Sequence, residues 1–298
     1  MAASVNPQLQ EVEQSGLKTR LQDYVTLTKP EVNLLILMTT SAGYYLGAPG
    51  RFSAIGLVNT LIGTLLVASG TATLNQWMER VWDGKMRRTS SRPLPAGRIN
   101  TREAFCFGLV LSVTGGTYLA LLVNPVTALV ATLTLLSYLL VYTPLKRVTP
   151  LCTLLGAFPG AMPTLIGWTA ASGRIEPGAW FLFAVLFLWQ FPHFLAIALM
   201  YREDYDRAGY RMLPRFDIDS RFTRGEILAF SVALVVITLL PSAHAGTLYM
   251  LGMLAAGAFF LYYVVRLTKS ASTGLASQVV HASVIYLPVV LLIIAWRR

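Results

Sequence analysis

Apolar residues fall along this chain in blocks, separated in turn by very short and by long polar connections. A bilayer-crossing helix needs about 20 mostly apolar residues. Nine segments qualify: 31–49, 54–76, 103–123, 126–144, 152–171, 179–201, 227–242, 248–265 and 277–296. The connections at 50–53, 124–125, 172–178 and 243–247 are short; those at 77–102 and 202–226 are long. Gly and Pro inside several blocks are tolerable where neighbouring helices cover the backbone. The pattern predicts an all-α integral membrane protein with one multi-pass domain over 23–298. A polar tail over 1–22 precedes it and contains no run that reads as a cleavable signal peptide.

Composition points the same way. Of 298 residues, 55% are hydrophobic and 13% charged, whereas soluble domains carry about 25% charged residues. So few charges cannot cover a water-facing surface. The two cysteines, Cys106 and Cys152, are apolar-block residues far apart in sequence. They offer neither a disulfide framework nor a zinc site.

Charge then fixes an orientation. With a cytoplasmic N-terminus, all of the 24 Lys and Arg except Arg51, Arg174, Arg297 and Arg298 fall on the cytoplasmic side, as the positive-inside rule asks. The net charge of +10 therefore needs no nucleic-acid partner; topology, membrane lipid and anionic substrates account for it. Orientation does not require carboxylates inside, yet of the 14 Asp and Glu only Glu176 falls outside.

The first acidic group follows span 54–76. Asn75, Glu79 and Asp83 are spaced i, i+4, i+8, which places three oxygen-bearing side chains on one helix face with about 6 Å per step. Such a row suits Mg²⁺, a hard cation that takes carboxylates, water and substrate phosphates. The plainer alternative is a solvated helix end. Lys85, Arg87, Arg88, Arg92 and Arg98 come directly after, and arginine binds phosphate bidentately. A carboxylate row beside cations suits a diphosphate.

The second group lies at the end of span 179–201. His193 precedes Asp204 by three helical turns, which predicts that Gln190, His193, Ile197 and Asp204 share a stripe. Ionisable residues inside membranes are costly and usually face a cavity, so His193 is a candidate for contact with substrate. Glu203 and Asp204 read as a second metal row, with Arg202 beside it. Tyr142, Lys146 and Arg147 close span 126–144 on the same face, where Pro144 should end the helix. Trp77, Trp189 and Tyr142 offer aromatic faces for cation–π contact. His244 and His281 have no evident chemical partners, and packing explains them as well.

At these residues the chain resembles the UbiA-type intramembrane prenyltransferases, and within them the branch that farnesylates haem. The matching segments are Thr28-Lys29-Pro30, Asn75 to Arg98, Tyr142 to Arg147 and Trp189 to Pro214. The resemblance implies nine helices around a cavity, with two acidic rows at its cytoplasmic end. It implies transfer of a farnesyl group from farnesyl diphosphate to a vinyl group of haem b, a substrate rather than a resident cofactor, with addition of water. Mg²⁺ would be held by Asn75, Glu79, Asp83, Glu203 and Asp204. Lys85, Arg87, Arg88, Arg92, Lys146, Arg147 and Arg202 would contact the anions, and Tyr142, Trp189 and His193 the organic parts. His193, Asp83 and Asp204 would be the catalytic residues. Glu79 departs from the Asp of the family row, and Phe194 stands where quinone-forming relatives usually have Asp. A cell inner-membrane location, and a haem A synthase or terminal oxidase as partner, are further family expectations. Prenyl transfer to a quinone precursor, and a transporter with a basic vestibule, remain alternatives.

Overall fold

The computed structural model describes residues 19–48, 50, 52–241 and 245–296. The predicted tail up to residue 18, Arg51, His244, Arg297 and Arg298 lie outside them. Among the described residues every regular element is helical. A helix over 19–28 (α1) is followed by α2 Pro30–Gly47, α3 Ala54–Asp83, α4 Thr101–Leu122 and α5 Pro125–Leu145. Then come α6 Cys152–Ser172, α7 Pro177–Met200, the short α8 Arg202–Ala208, α9 Arg221–Leu239, α10 Thr247–Lys269 and α11 Thr273–Trp296.

Seven of the described helices (α3, α4, α5, α7, α9, α10 and α11) are long and apolar enough to cross a membrane. α2 and α6 occupy the places of the other two predicted blocks but are not among the seven. α2 spends positions on Pro30, Glu31 and Asn33, and the two helices also pack tightly on one another. A Cβ on Gly43 would meet the Thr164 carbonyl, one on Gly167 the Thr40 carbonyl, and one on Gly47 the Trp168 side chain. Helices that approach this closely in lipid use Gly, Ala, Ser and Thr at the contact, and those residues dilute apolar character. α3 and α4 form a second close pair through Gly70, Gly108 and Gly115.

Local signals set the helix ends. Ser53 caps α3 by accepting from the Gly56 N–H at 3.1 Å, and Asn124 caps α5 by accepting from Thr127 N–H at 2.8 Å. Pro144 does not stop α5 where expected; the helix continues to Leu145. The turn before it, Ser137–Tyr142, widens into a π-helix, a feature common at functional sites.

α2 packs on α6, α3 and α11; α6 also packs on α5 and α7; α7 meets α9 and α11; and α10 lies against α9 and α11. Between them is a cavity of about 280 Å³ lined by α2, α3, α5, α6 and α7. The segments after α3, α5 and α7 converge at one end of it. Arg211 N–H donates to the Lys146 carbonyl at 2.7 Å. Met86, Ala208 and Tyr210 form a small core with Trp82, Tyr205 and Met212.

Candidate active site

α3 continues to Asp83, so Asn75, Glu79 and Asp83 stand on one face as their spacing predicted. They are 1%, 6% and 2% exposed, which excludes the solvated helix end. Each is held by a cation from a different element. Lys29 Nζ donates to Asn75 Oδ1 at 2.8 Å. Lys146 Nζ reaches Glu79 Oε1 at 2.9 Å and Oε2 at 3.2 Å. Arg92 Nη1 pairs with Asp83 Oδ2 at 2.8 Å. Asn75 Nδ2 donates to Glu79 Oε2 at 3.0 Å and to Thr143 Oγ1 at 3.1 Å. Thr143, whose hydroxyl donates to the Tyr138 carbonyl at 2.9 Å in the widened turn, thus helps orient the amide so that its oxygen faces Lys29.

Lys29 was visible in the sequence only as part of Thr28-Lys29-Pro30. Its backbone is left-handed, with φ 52° and ψ 65°, a conformation rare for lysine and the kind of strain found at functional sites. Burial, and next the charge of Arg92, lower its ammonium to about 7. Lys146 goes the other way: burial alone would lower it, but the Glu79 carboxylate more than offsets this and holds it well above the usual range.

The second acidic group departs from expectation. Tyr201 leaves helical geometry (φ −112°, ψ 28°) and separates α7 from α8, so the three-turn relation between His193 and Asp204 does not hold. Asp204 is buried and uses its carboxylate on the arginine loop. Oδ1 accepts from Arg87 N–H at 3.2 Å and Arg207 Nη1 at 3.1 Å, and Oδ2 from Arg88 N–H at 3.3 Å. Glu203 is exposed. In this arrangement the Asp204 carboxylate anchors the segment that carries Arg87 and Arg88, and Glu203 does not share its burial.

The remaining cations divide. Arg88 lies 4.8 Å over the Tyr201 ring, with Nη2 3.3 Å from Tyr205 Oη. Arg147 stacks on Trp82 at 3.9 Å. Lys85 and Arg87 are exposed. Arg202 turns elsewhere, donating to the Ile218 carbonyl at 3.2 Å. Arg98 forms a two-pronged pair with Asp23 at 2.9–3.0 Å, which ties its loop to α1.

Beneath the charged roof the cavity is mostly apolar. Leu35, Ile36, Val67 and Ile166 line it with Tyr138, Tyr142, Trp189 and Phe194, and Thr39, Thr64, Thr71 and Thr134 add hydroxyls. Gly156 and Gly160 of α6 leave room for Tyr142 and Gln190, which their Cβ atoms would strike. Lys146 Nζ sits 4.5 Å from the Tyr142 ring centre. The predicted stripe is rotated: Gln190, Phe194 and Ile197 face the cavity, while His193 is not in its lining. His193 stacks on Trp189 (centroids 4.7 Å apart, 19° between planes) and contacts Ser283 Oγ through Nδ1 at 2.8 Å. Ser283 Oγ also donates to the Val280 carbonyl at 2.7 Å, an arrangement that suits the His193 tautomer donating from Nδ1 and leaving Nε2 as acceptor. Trp189 Nε1 donates to the Ser283 carbonyl at 2.7 Å. His281 is exposed and bonds the Ser277 carbonyl of its own helix.

Among the described residues no three His, Cys, Asp or Glu side chains stand close enough to hold a metal alone. The donor set still fits Mg²⁺. It consists of buried hard oxygens in a row, and Mg²⁺ is typically bound by one or two carboxylates completed by water and substrate phosphates.

Comparison with known proteins identifies the family and the fold. The UbiA prenyltransferase family pattern matches residues 36–287. The chain is 47% identical over 281 residues to a protoheme IX farnesyltransferase of Solibacter usitatus (strain Ellin6076), covering 91% of this chain and 96% of that one. A structure of digeranylgeranylglyceryl phosphate synthase superposes with a TM-score of 0.75 at 20% identity, covering 93% of this chain and 98% of that one. A UbiA homologue from Archaeoglobus fulgidus bound to DMAPP and Mg²⁺ gives 0.68 at 17% identity, with 91% and 99% covered. With apolar helices, a charged roof and these likenesses together, the chain belongs to the UbiA prenyltransferase family.

Proposed function

We propose that this prenyltransferase moves the farnesyl group of farnesyl diphosphate onto a vinyl group of haem b, with addition of water. The observation that carries the reading is the buried row Asn75, Glu79 and Asp83, each member paired with a cation over a mostly apolar cavity. The Solibacter relative's name supports the two substrates, and the diphosphate and Mg²⁺ of the Archaeoglobus homologue support the class of leaving group.

In the structure the cations and the acids neutralise one another. An entering diphosphate competes for Lys29, Arg92 and Lys146 and frees oxygens of Asn75, Glu79 and Asp83 to hold the ion. Mg²⁺, when bound, withdraws charge from the diphosphate and improves it as a leaving group. The lysines and arginines preorganise positive charge where negative charge builds up as the allylic C–O bond breaks. Asp204 holds Arg87 and Arg88 in register for the same task. The farnesyl chain lies in the apolar cavity, which shields the allylic cation from water, and the π faces of Tyr138, Tyr142 and Trp189 stabilise it. The haem vinyl carbon attacks that cation, the new cation beside the macrocycle takes up water, and a proton is released. The products are haem O and diphosphate.

At about 280 Å³ the cavity lies just below the range of about 300–1,000 Å³ typical of small-molecule pockets. It has room for a prenyl chain but not for the macrocycle as well. Haem therefore meets the chain at the rim, where Phe194 both lines the cavity and is 40% exposed. His193 is its chain neighbour, and its free Nε2 suits contact with the macrocycle, its iron or the entering water. The roof faces the cytoplasm of the cell inner membrane, where the positive-inside rule puts the basic loops.

The test is to incubate the purified protein with labelled farnesyl diphosphate, haem and Mg²⁺. Formation of labelled haem O is expected, and Asp83→Ala should abolish it. A product made only with an aromatic acceptor would replace haem in this reading, and no transfer at all would overturn it.

A further inference from the structure

One buried polar group at the roof has no bonding partner among the described residues. Tyr210 is 2% exposed, and its hydroxyl makes no hydrogen bond. Leaving a buried hydroxyl unsatisfied costs free energy, and phenylalanine would fill the same volume without that cost. The residue is nevertheless firmly placed. Gly209, at φ 77°, turns the chain out of α8, and Tyr210 N–H donates to the Tyr205 carbonyl at 2.9 Å. The next N–H, of Arg211, is bonded to the Lys146 carbonyl. The ring packs edge-on against Tyr205 at 5.9 Å and joins Met86 and Ala208 in the small core beneath the arginine loop. Its hydroxyl is close enough to Glu79 for that carboxylate to act on it as a hydrogen-bond acceptor, with Lys146 and Asp83 in electrostatic reach, but it meets strict hydrogen-bond geometry with none of them.

Glu79 has two duties if the proposed diphosphate site is right, and this inference rests on that reading. In the structure Lys146 bonds both of its oxygens. When Lys146 turns to the diphosphate, the carboxylate loses that support just when its orientation matters. We propose that Tyr210 is a positioning residue whose hydroxyl then donates a hydrogen bond to the Glu79 carboxylate and holds it for the divalent ion. The phenol suits a donor role: burial first, and the Glu79 charge next, push it above its usual range, so it keeps its proton.

Tyr210→Phe removes only the oxygen. Mn²⁺ binding can be followed by electron paramagnetic resonance in the presence of a non-reacting farnesyl thiodiphosphate, with thermal unfolding measured alongside. Weakening of Mn²⁺ binding by about tenfold is expected, the size of one hydrogen bond to a charged group. The ligand-free protein should unfold at the same temperature or higher, while the gain on adding Mn²⁺ and analogue should shrink. In a Glu79→Asp background the carboxylate is one methylene shorter, and Tyr210→Phe should then change Mn²⁺ binding less than twofold. Equal Mn²⁺ affinity in wild type and Tyr210→Phe would overturn the role of Tyr210 and leave the site intact. So would an undiminished effect in Glu79→Asp, or a lower ligand-free unfolding temperature with the ligand-induced gain unchanged. Wild-type protein that binds no Mn²⁺ with the analogue would overturn the site and the inference together.

Discussion

Lys146 and Glu79 form a buried ion pair at the roof of the cavity, with Nζ 2.9 Å from one carboxylate oxygen and 3.2 Å from the other. Removing one partner of such a pair leaves an uncompensated charge out of water, at a cost of about 3–5 kcal/mol. Lys146→Met should therefore lower the unfolding temperature of the ligand-free protein sharply, and Lys146→Met with Glu79→Gln should recover much of the loss. Neither variant should transfer farnesyl, because stability and anion handling depend on the same charges in different ways. The pair also fixes a pH window. Lys146 is raised above its ordinary value of 10.5, so its stabilisation is complete below that pH and is lost only as pH rises through the still higher folded value. The pair adds no slope to stability between about pH 6 and 9, which unfolding at several pH values would check.

Lys29 makes the opposite prediction. Burial lowers it to about 7, so in the ligand-free protein about half of it is neutral at pH 7. Its burial carries no protonation penalty above 10.5; as pH falls from there the unfolded chain takes up the proton first, so the penalty grows towards pH 7 and is level below it. A diphosphate favours the ammonium, so binding farnesyl diphosphate at pH 7 should take up about half a proton. Calorimetry in two buffers of different ionisation enthalpy measures this uptake, and Lys29→Met should remove most of it. Equal heats in the two buffers for the wild type would contradict it.

These two lysines mark what the sequence could and could not reveal. The Asn75, Glu79 and Asp83 row was legible because helix periodicity is local: spacing of four along a continuous apolar block leaves little freedom. The all-helical membrane fold was legible for the same reason, since seven helices carry their own apolar signal. α2 and α6 met that signal less well because Pro30, Glu31 and Asn33 in α2, and glycines and threonines at their mutual contact, take the places of lipid-facing apolar residues. Relations made by folding were hidden. Nothing in Asp204 announces that its partners are the backbone N–H groups of Arg87 and Arg88, over a hundred residues earlier. The break at Tyr201 rotated α8 away from the stripe projected from α7. Arg98 looked like one more phosphate ligand, and nothing in the sequence announced its pair with Asp23. Lys29 had a weak signal, a cation directly before the proline that starts a helix, and its αL backbone is not readable from sequence.

His193 should separate acceptor handling from diphosphate handling. It is outside the cavity lining, held by Ser283 and stacked on Trp189, with Nε2 left as an acceptor. His193→Ala should cut haem O formation by at least tenfold, a loss of about 1.4 kcal/mol or more of transition-state stabilisation, while affinity for farnesyl diphosphate changes less than twofold. Ser283→Ala frees the ring and should give a smaller loss of the same kind. Parallel loss of farnesyl diphosphate affinity in His193→Ala would place the residue in the diphosphate machinery instead.

The contact between α2 and α6 yields a paired test of packing. A methyl group at Gly167 would meet the Thr40 carbonyl and the Tyr44 backbone nitrogen, and neither can move without displacing a helix. Overpacking of this kind costs about 1–3 kcal/mol. α2 carries Asn33, Leu35 and Ile36 into the cavity wall, so a shift of the pair should also weaken prenyl diphosphate binding. Gly225 is the counterpart: it lies inside α9 with nothing within 4 Å of a built Cβ. Alanine there should stabilise by about 0.5–1 kcal/mol through helix propensity and lost unfolded-state entropy. Gly167→Ala should thus lower the unfolding temperature and raise the KM for farnesyl diphosphate, while Gly225→Ala raises the unfolding temperature with KM unchanged. If Gly167→Ala were as stable as the wild type, the close approach of α2 and α6 could not be the reason these two helices carry so many small residues.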